Sequence, residues 1–402
     1  MTRKSNTTSP LPLNPSVLLW AREESGFPLE RVAHRLHVKV ERAASWEQPG
    51  GQAPTLRQMQ ELARFFHRPL GIFFLPSPPQ LPPLAAEYRR LLGVVVGKES
   101  PELRLAVRQM SIRRDHAINL IDELGEEIPA FRLKAHLNED PVAVADQLRK
   151  TLKIDLAAQT GWRDEWQAWH GWRAAVENLG VLVFQFLKVS LNEVRGLSLL
   201  RFPLPVVGIN SKEKVAGSKS YTLIHELVHL MLAMGHEEET ALKEKRSDKQ
   251  WESVERFAET AASHVLVPEN ALTSAMGQKG KNSAWDIEEV RRLARNFRIS
   301  PLAMATRLRA SGYMTWPSYR DWKKKWDAYL ETLRPRSGGI ASPAEKAINR
   351  NGRPFVQLVL EALQTNRIAS AEAAHYLDLK FQHFEELREN VRFGAMRSES
   401  DG

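Results

Sequence analysis

The residues of this chain best suited to chemistry are two histidines and a glutamate in the run Tyr221-Thr222-Leu223-Ile224-His225-Glu226-Leu227-Val228-His229-Leu230-Met231-Leu232. The run holds no Gly or Pro and predicts a helix, on which residues four apart share a face. His225 and His229 can therefore offer two imidazole nitrogens to one metal ion. Glu226 falls beside the position such an ion leaves open, where its carboxylate could take a proton from an attacking water. A Zn²⁺ ion supplies the matching Lewis acidity, bringing the pKa of a bound water from 15.7 to about 7. His-Glu-x-x-His is the pattern of metal-assisted peptide hydrolysis. Its flanks are apolar almost all round, so the helix should be buried. Three buried ionisable groups need partners, and a metal supplies them.

Two histidines do not close a catalytic zinc site, which takes a third protein ligand and keeps one position open. A Gly three residues and a His six residues after His229 would provide one continuation. Leu232 and Gly235 stand there instead, with His236 one residue off. The other continuation is a carboxylate on a downstream helix. Trp251–Pro268 reads as that helix and offers Glu252, Glu255, Glu259 and His264. The three glutamates share roughly one face, so spacing alone does not choose among them.

Upstream, Gly180–Leu187, Arg195–Leu200 and Pro205–Asn210 are rich in β-branched and aromatic residues and read as three strands. Val207-Gly208-Ile209-Asn210 is the candidate edge strand that would hold a substrate backbone by strand addition, with an ordinary core strand as the alternative. Trp162, Trp166, Trp169 and Trp172 recur at helical spacing and suit a packing stripe. Arg104, Arg108, Arg113 and Arg114 are expected on a solvated helix face, in helical sequence running from Ala85 to about Leu124. The segment Gly235–Gln250 reads as a long, charged, mobile loop.

With 402 residues, two or three domains are expected. The absence of cysteine excludes disulfides, thiolate zinc sites and a cysteine nucleophile, and fits a cytoplasmic setting. The N-terminus carries no signal-like apolar core, and no apolar run reaches the length of a membrane span. A net charge of +9 permits nucleic-acid contact without requiring it. The expected organisation is a disordered 1–12, a helical bundle at 13–75, a Pro-rich linker at 76–84 and a helical connector at 85–160. A metal-site domain at 161–335 and a helical C-terminal domain at 345–395 complete it, with Ser337–Pro343 as the link between them.

Two resemblances sharpen this outline. Leu29, Val32, Ala33, Leu36, Val38, Ala43, Trp46-Glu47, Pro54-Thr55-Leu56 and Leu62-Ala63 resemble the helix-turn-helix of phage lambda-type repressors. That resemblance implies possible DNA contact through Lys39, Arg42 and Ser45, and a possible homodimer; Glu41 would oppose phosphates, and protein docking is the competing use. Asn210, Tyr221-Thr222, His225–His229 and Glu255-x-x-Ala258-x-x-Ala261-Ala262-x-x-x-Leu266-Val267-Pro268 are similar to the ImmA/IrrE family of metallopeptidases. By that resemblance the third ligand is Glu255, thirteen positions before Pro268, and one Zn²⁺ is bound per chain. Glu259 stands where the family commonly has Asn, and could support a ligand, compete with one or simply face solvent. Tyr221, His264 and Asn210 are candidates for supporting or substrate contacts.

The implied fold is mostly α, with a small α+β zincin-like peptidase domain, an N-terminal five-helix-type helix-turn-helix bundle and a C-terminal helical bundle of helix-turn-helix type. The implied activity is a zinc endopeptidase cutting a regulatory protein, a helix-turn-helix repressor, so as to derepress phage, mobile-element or stress genes. The alternative is a DNA-binding regulator or antitoxin-like protein whose metal is structural or sensory.

Overall fold

The structure, a computed structural model, describes residues 13–277, 279–332 and 341–400, with side chains described as far as 392. The expected disordered 1–12 and most of the link at 337–343 lie outside these residues. The chain divides into two compact units. One comprises residues 1–84 and 94–108, the other 85–93 and 109–402.

The first unit is helical: α1 (Pro15–Ser25), α2 (Leu29–Leu36), α3 (Val40–Ser45), α4 (Leu56–Phe65) and a 3-10 turn at Leu70–Phe74. The ends are set by local chemistry. Asn14 caps α1 by accepting from Ser16 N, and Gly26, at φ 74°, closes it in the left-handed region. Thr55 and Gln58 form a reciprocal capping box at the start of α4. Leu18, Val32, Ala43, Trp46, Met59, Leu62, Phe66 and Phe73 make a continuous core. Arg104 and Arg108 donate to the carbonyls of Glu23 and Glu24 at the C-terminal end of α1. They are not a solvated face, because the carbonyls at a helix C-terminus attract cations.

In the second unit a short sheet is enclosed by helices. The strands are β1 (Leu182–Phe186), β2 (Gly196–Leu199) and β3 (Val206–Asn210), in the order β1-β3-β2. β1 runs parallel to β3 and β2 antiparallel. Every strand residue is buried, as a sheet covered on both faces requires. The helices are α5 (Pro101–Leu124), counted with this unit from Gln109, then α6 (Pro141–Thr151), α7 (Leu156–Gly161) and α8 (Glu165–Glu177). After the strands come α9 (Ala216–Met234), α10 (Asp248–Leu266), α11 (Glu269–Met276), α12 (Ile287–Asn296), α13 (Pro301–Ala310) and α14 (Trp316–Thr332). α15 (Pro343–Asn351), α16 (Arg353–Gln364), α17 (Ser370–Leu377) and α18 (Phe384–Ser400) complete the unit.

Three expectations are corrected here. The segment at 85–160 is no separate connector, since Phe131, Ala135, Val144, Leu148 and Ile154 belong to the same core as α9 and α10. Ala85–Leu91 does not enter a helix: after one 3-10 turn, Tyr88 and Arg89 are extended and bridge β2 and Thr240. Val207–Asn210 is central in the sheet, so it has no free edge to offer a peptide. Of the tryptophan stripe, Trp169 and Trp172 are fully buried on α8, whereas Trp166 is exposed. Trp162 lies beyond α7 and meets Trp172 edge-on. No helix among the described residues is long and apolar enough to cross a membrane.

Candidate metal centre

The site is built on the two longest buried helices of the second unit. α9 lies against β2 so closely that a Cβ on Gly196 would meet Thr222 Cγ2 at 2.3 Å and Glu226 Cγ at 3.2 Å. At its start, a Cβ on Gly217 would come within 2.2 Å of Ser300 N, which fixes the helix against α13. α10 begins at a capping box between Ser247 and Gln250 and packs on α9, with Val254, Ala258, Ala261 and Ala262 in the core that the two helices share. The small side chains allow the close approach that brings the Glu255 carboxylate to the histidines.

His225 Nε2 and His229 Nε2 lie 3.1 Å apart. Glu255 places Oε2 at 3.3 Å from the first and Oε1 at 3.6 Å from the second. Tetrahedral zinc with bonds of about 2.0–2.1 Å spaces its ligand atoms by about 3.3 Å, so the three groups already stand at ligand spacing. Two imidazoles turning the same nitrogen toward each other and toward one carboxylate is the arrangement a shared cation satisfies. These three residues therefore fit a metal, each offering one ligand atom within 4.8 Å of the other two.

The surroundings of the cluster were not read from the sequence. His229 is wholly buried, and its Nδ1 donates to Glu238 Oε2 at 2.7 Å. That bond fixes the tautomer that turns Nε2 toward the cluster. Burial and Arg89 push the imidazole pKa of His229 down, but Glu238 and Glu255 outweigh them and raise it to about 9. His225 has no such support: its Nδ1 finds no partner, while its ring stacks on Tyr221 at 6.1 Å. Arg89, itself buried, donates through Nε and Nη2 to the two Glu226 oxygens, each at 3.0 Å, and through Nη1 to Glu255 Oε1 at 2.9 Å. Ser198 Oγ donates to Glu226 Oε2 at 2.7 Å. Burial alone would push the Glu226 carboxyl up, but the guanidinium overrides it and holds the group below its ordinary range. Glu255 is also held below its ordinary range, against the same burial, by Arg89 and the histidines.

The remaining candidates stand elsewhere or do other work. Glu259 is drawn away to Arg309 at 3.1 Å and is not in the three-residue cluster; Glu238 holds the supporting position instead. His264 Nδ1 donates to Thr260 O at 2.8 Å, and its Nε2 lies 3.6 Å from Glu269 Oε2. Asn210 is fully buried and donates to Val189 O and Val194 O, tying down the turn before β2. Burial and Glu259 raise the Tyr221 phenol, which stays protonated. In the first unit Lys39 is exposed ahead of α3, and Ser45 Oγ donates to Arg42 O at 2.7 Å. The loop at 235–250 is not free: Glu238 is buried, and Ala241 N and Leu242 N donate to Tyr88 O and Ala85 O.

Residues 176–309, about a third of the chain, match the model of the Peptidase_M78 family, described as the IrrE N-terminal-like domain. The match spans His225, Glu226, His229, Glu238 and Glu255, so the second unit carries a domain of metallopeptidase type. No curated protein matches the chain.

Proposed function

We propose that the chain is a Zn²⁺-dependent endopeptidase of the ImmA/IrrE kind, in which His225, His229 and Glu255 hold the metal and Glu226 is the acid–base group. The observation that carries this reading is the spacing of the three donor atoms with a carboxylate one residue beyond the first histidine. When bound, zinc polarises the scissile carbonyl and activates water. Glu226 accepts the proton of the attacking water and returns it to the leaving amine. Glu238 keeps His229 in its tautomer. Ser198, donating to Glu226 Oε2, orients the carboxylate. The proposed substrate is an extended segment of a regulatory protein of repressor type, in keeping with the family the match points to.

Glu226→Gln removes the base and keeps the shape. The variant should retain zinc and lose cleavage by at least a hundredfold, as loss of general acid–base catalysis implies. The assay is incubation with a lambda-type helix-turn-helix repressor, with and without a chelator. Full cleavage by Glu226→Gln, or cleavage that a chelator leaves untouched, would remove the reading.

A further inference from the structure

We propose that residues 85–93 form an internal strap that keeps the site latent, with Arg89 as the latch on Glu226. This rests on the endopeptidase reading and adds its regulation.

The sheet edge that passes the site is β2, which a Cβ on Gly196 would bring to 3.2 Å from Glu226 Cγ. An extended substrate added to that edge would run directly past the base. The edge is taken by the chain itself. Arg89 N donates to Ser198 O at 3.2 Å, and Leu200 N donates to Glu87 O at 3.1 Å. The strap's outer side is closed by Ala241 N on Tyr88 O at 2.7 Å and Leu242 N on Ala85 O at 2.9 Å. Tyr88 and Arg89 are 1% and 4% exposed, so no peptide reaches β2 while the strap is in place.

The side chain completes the block. Both Glu226 oxygens receive Arg89, and Oε2 also receives Ser198. A carboxylate held in a two-point ion pair with a buried guanidinium, with a third donor on Oε2, has most of its lone pairs engaged and is a weakened base toward water. The third guanidinium nitrogen sits on Glu255, a proposed metal ligand, so the latch also sets a fixed positive charge against the incoming cation. The strap is flanked on both sides by chain of the first unit, residues to Leu84 and from Val94. A partner that engages that chain therefore acts on the strap through the covalent backbone. Release requires only that 85–93 leave the edge; the three ligand residues stay where they are.

The test uses the full-length protein with two variants. Arg89→Ala removes the latch. Ala241→Pro removes the Ala241 N–H that clamps Tyr88 and leaves Arg89 and Glu226 intact. Proline suits that position, the second residue of a turn closed by Lys243 N on Thr240 O. Zinc affinity is read by competition with a chromophoric chelator, and cleavage with fluorescein-labelled casein. Arg89→Ala should bind zinc at least tenfold more tightly, and both variants should cut casein at least tenfold faster. Arg89→Ala combined with Glu226→Gln should not cut. Weaker or unchanged zinc binding in Arg89→Ala overturns the latch, as does slower or unchanged cleavage by variants of a wild type that cuts. Tighter zinc with no cleavage, by any variant, of casein or of the repressor used above overturns the endopeptidase reading and leaves the strap's hold on the site standing. If Arg89→Ala does not fold, the casein rate of Ala241→Pro decides alone: a rise supports the strap, and none removes it.

Discussion

Glu238 shows how a residue distant from the signature can decide whether it works. Its carboxylate receives His229 Nδ1–H at 2.7 Å, with neither side chain exposed to solvent. Removing the acceptor, Glu238→Ala, leaves the imidazole free to turn its other nitrogen. Loss of a partner of this kind typically costs 10–100-fold in metal affinity. A zinc dissociation constant raised about 10–100-fold is therefore expected, with Glu226 chemistry intact at saturating zinc. An unchanged constant in chelator competition would show that the bond orients nothing. The pair His225 and His229 was legible because helical period is written into spacing. Glu255 was legible only through resemblance, since Glu252 and Glu259 share its face. Arg89, Ser198 and Glu238 were not legible. Arg89 lies 137 positions from Glu226, and nothing in local sequence records a pairing made by tertiary folding.

At the scale of elements, the strands and the two site helices stand where their composition placed them. The order of the strands did not follow, because β-propensity says nothing about neighbours, and Val207–Asn210 became the central strand. The arginines of α5 were misread for a related reason. Amphipathic patterning treats Arg as solvent-facing, yet Arg114 is buried and spends its donors on the carbonyls of Arg201 and Leu204. Lys219 on α9 is a similar case with a measurable consequence. It is buried between α8 and β1, donates to Gln185 Oε1 at 2.7 Å and lies over the rings of Trp166 and Trp169. Burial, followed by the nearby Arg173, lowers its pKa from 10.5 to about 8. The unfolded chain therefore binds this proton more tightly than the folded one. The resulting cost to stability is fully present below about pH 8 and is relieved as pH rises toward 10.5. Lys219→Met should stabilise the protein by about 1–2 kcal/mol at pH 7, the gain of removing a buried charge less the lost bond to Gln185. That gain should shrink by pH 9.5. Urea midpoints at the two pH values measure it, and a variant less stable at pH 7 would contradict the assignment of cost to the buried charge.

At the scale of the molecule, the division into two units makes metal binding a local event with a selective signature. All three proposed ligands, the base and its supports lie in the second unit, while the first has its own core from Leu18 to Phe73. A ligand that binds only the folded state stabilises it by mass action, about 4 kcal/mol at a thousandfold excess over the dissociation constant. Of the eleven tryptophans, Trp20 and Trp46 belong to the first unit and the other nine to the second. Tryptophan fluorescence thus reports chiefly on the metal-bearing unit, whereas far-ultraviolet dichroism reports on both. Saturating zinc should raise the fluorescence transition by on the order of 10 °C relative to the chelated protein. A part of the dichroism transition, that of the first unit, should stay in place. If both signals rise together, the chain melts as one cooperative body despite its two cores. If neither moves, the cluster of His225, His229 and Glu255 does not take the metal in the folded protein, and the spacing of their donor atoms has another cause.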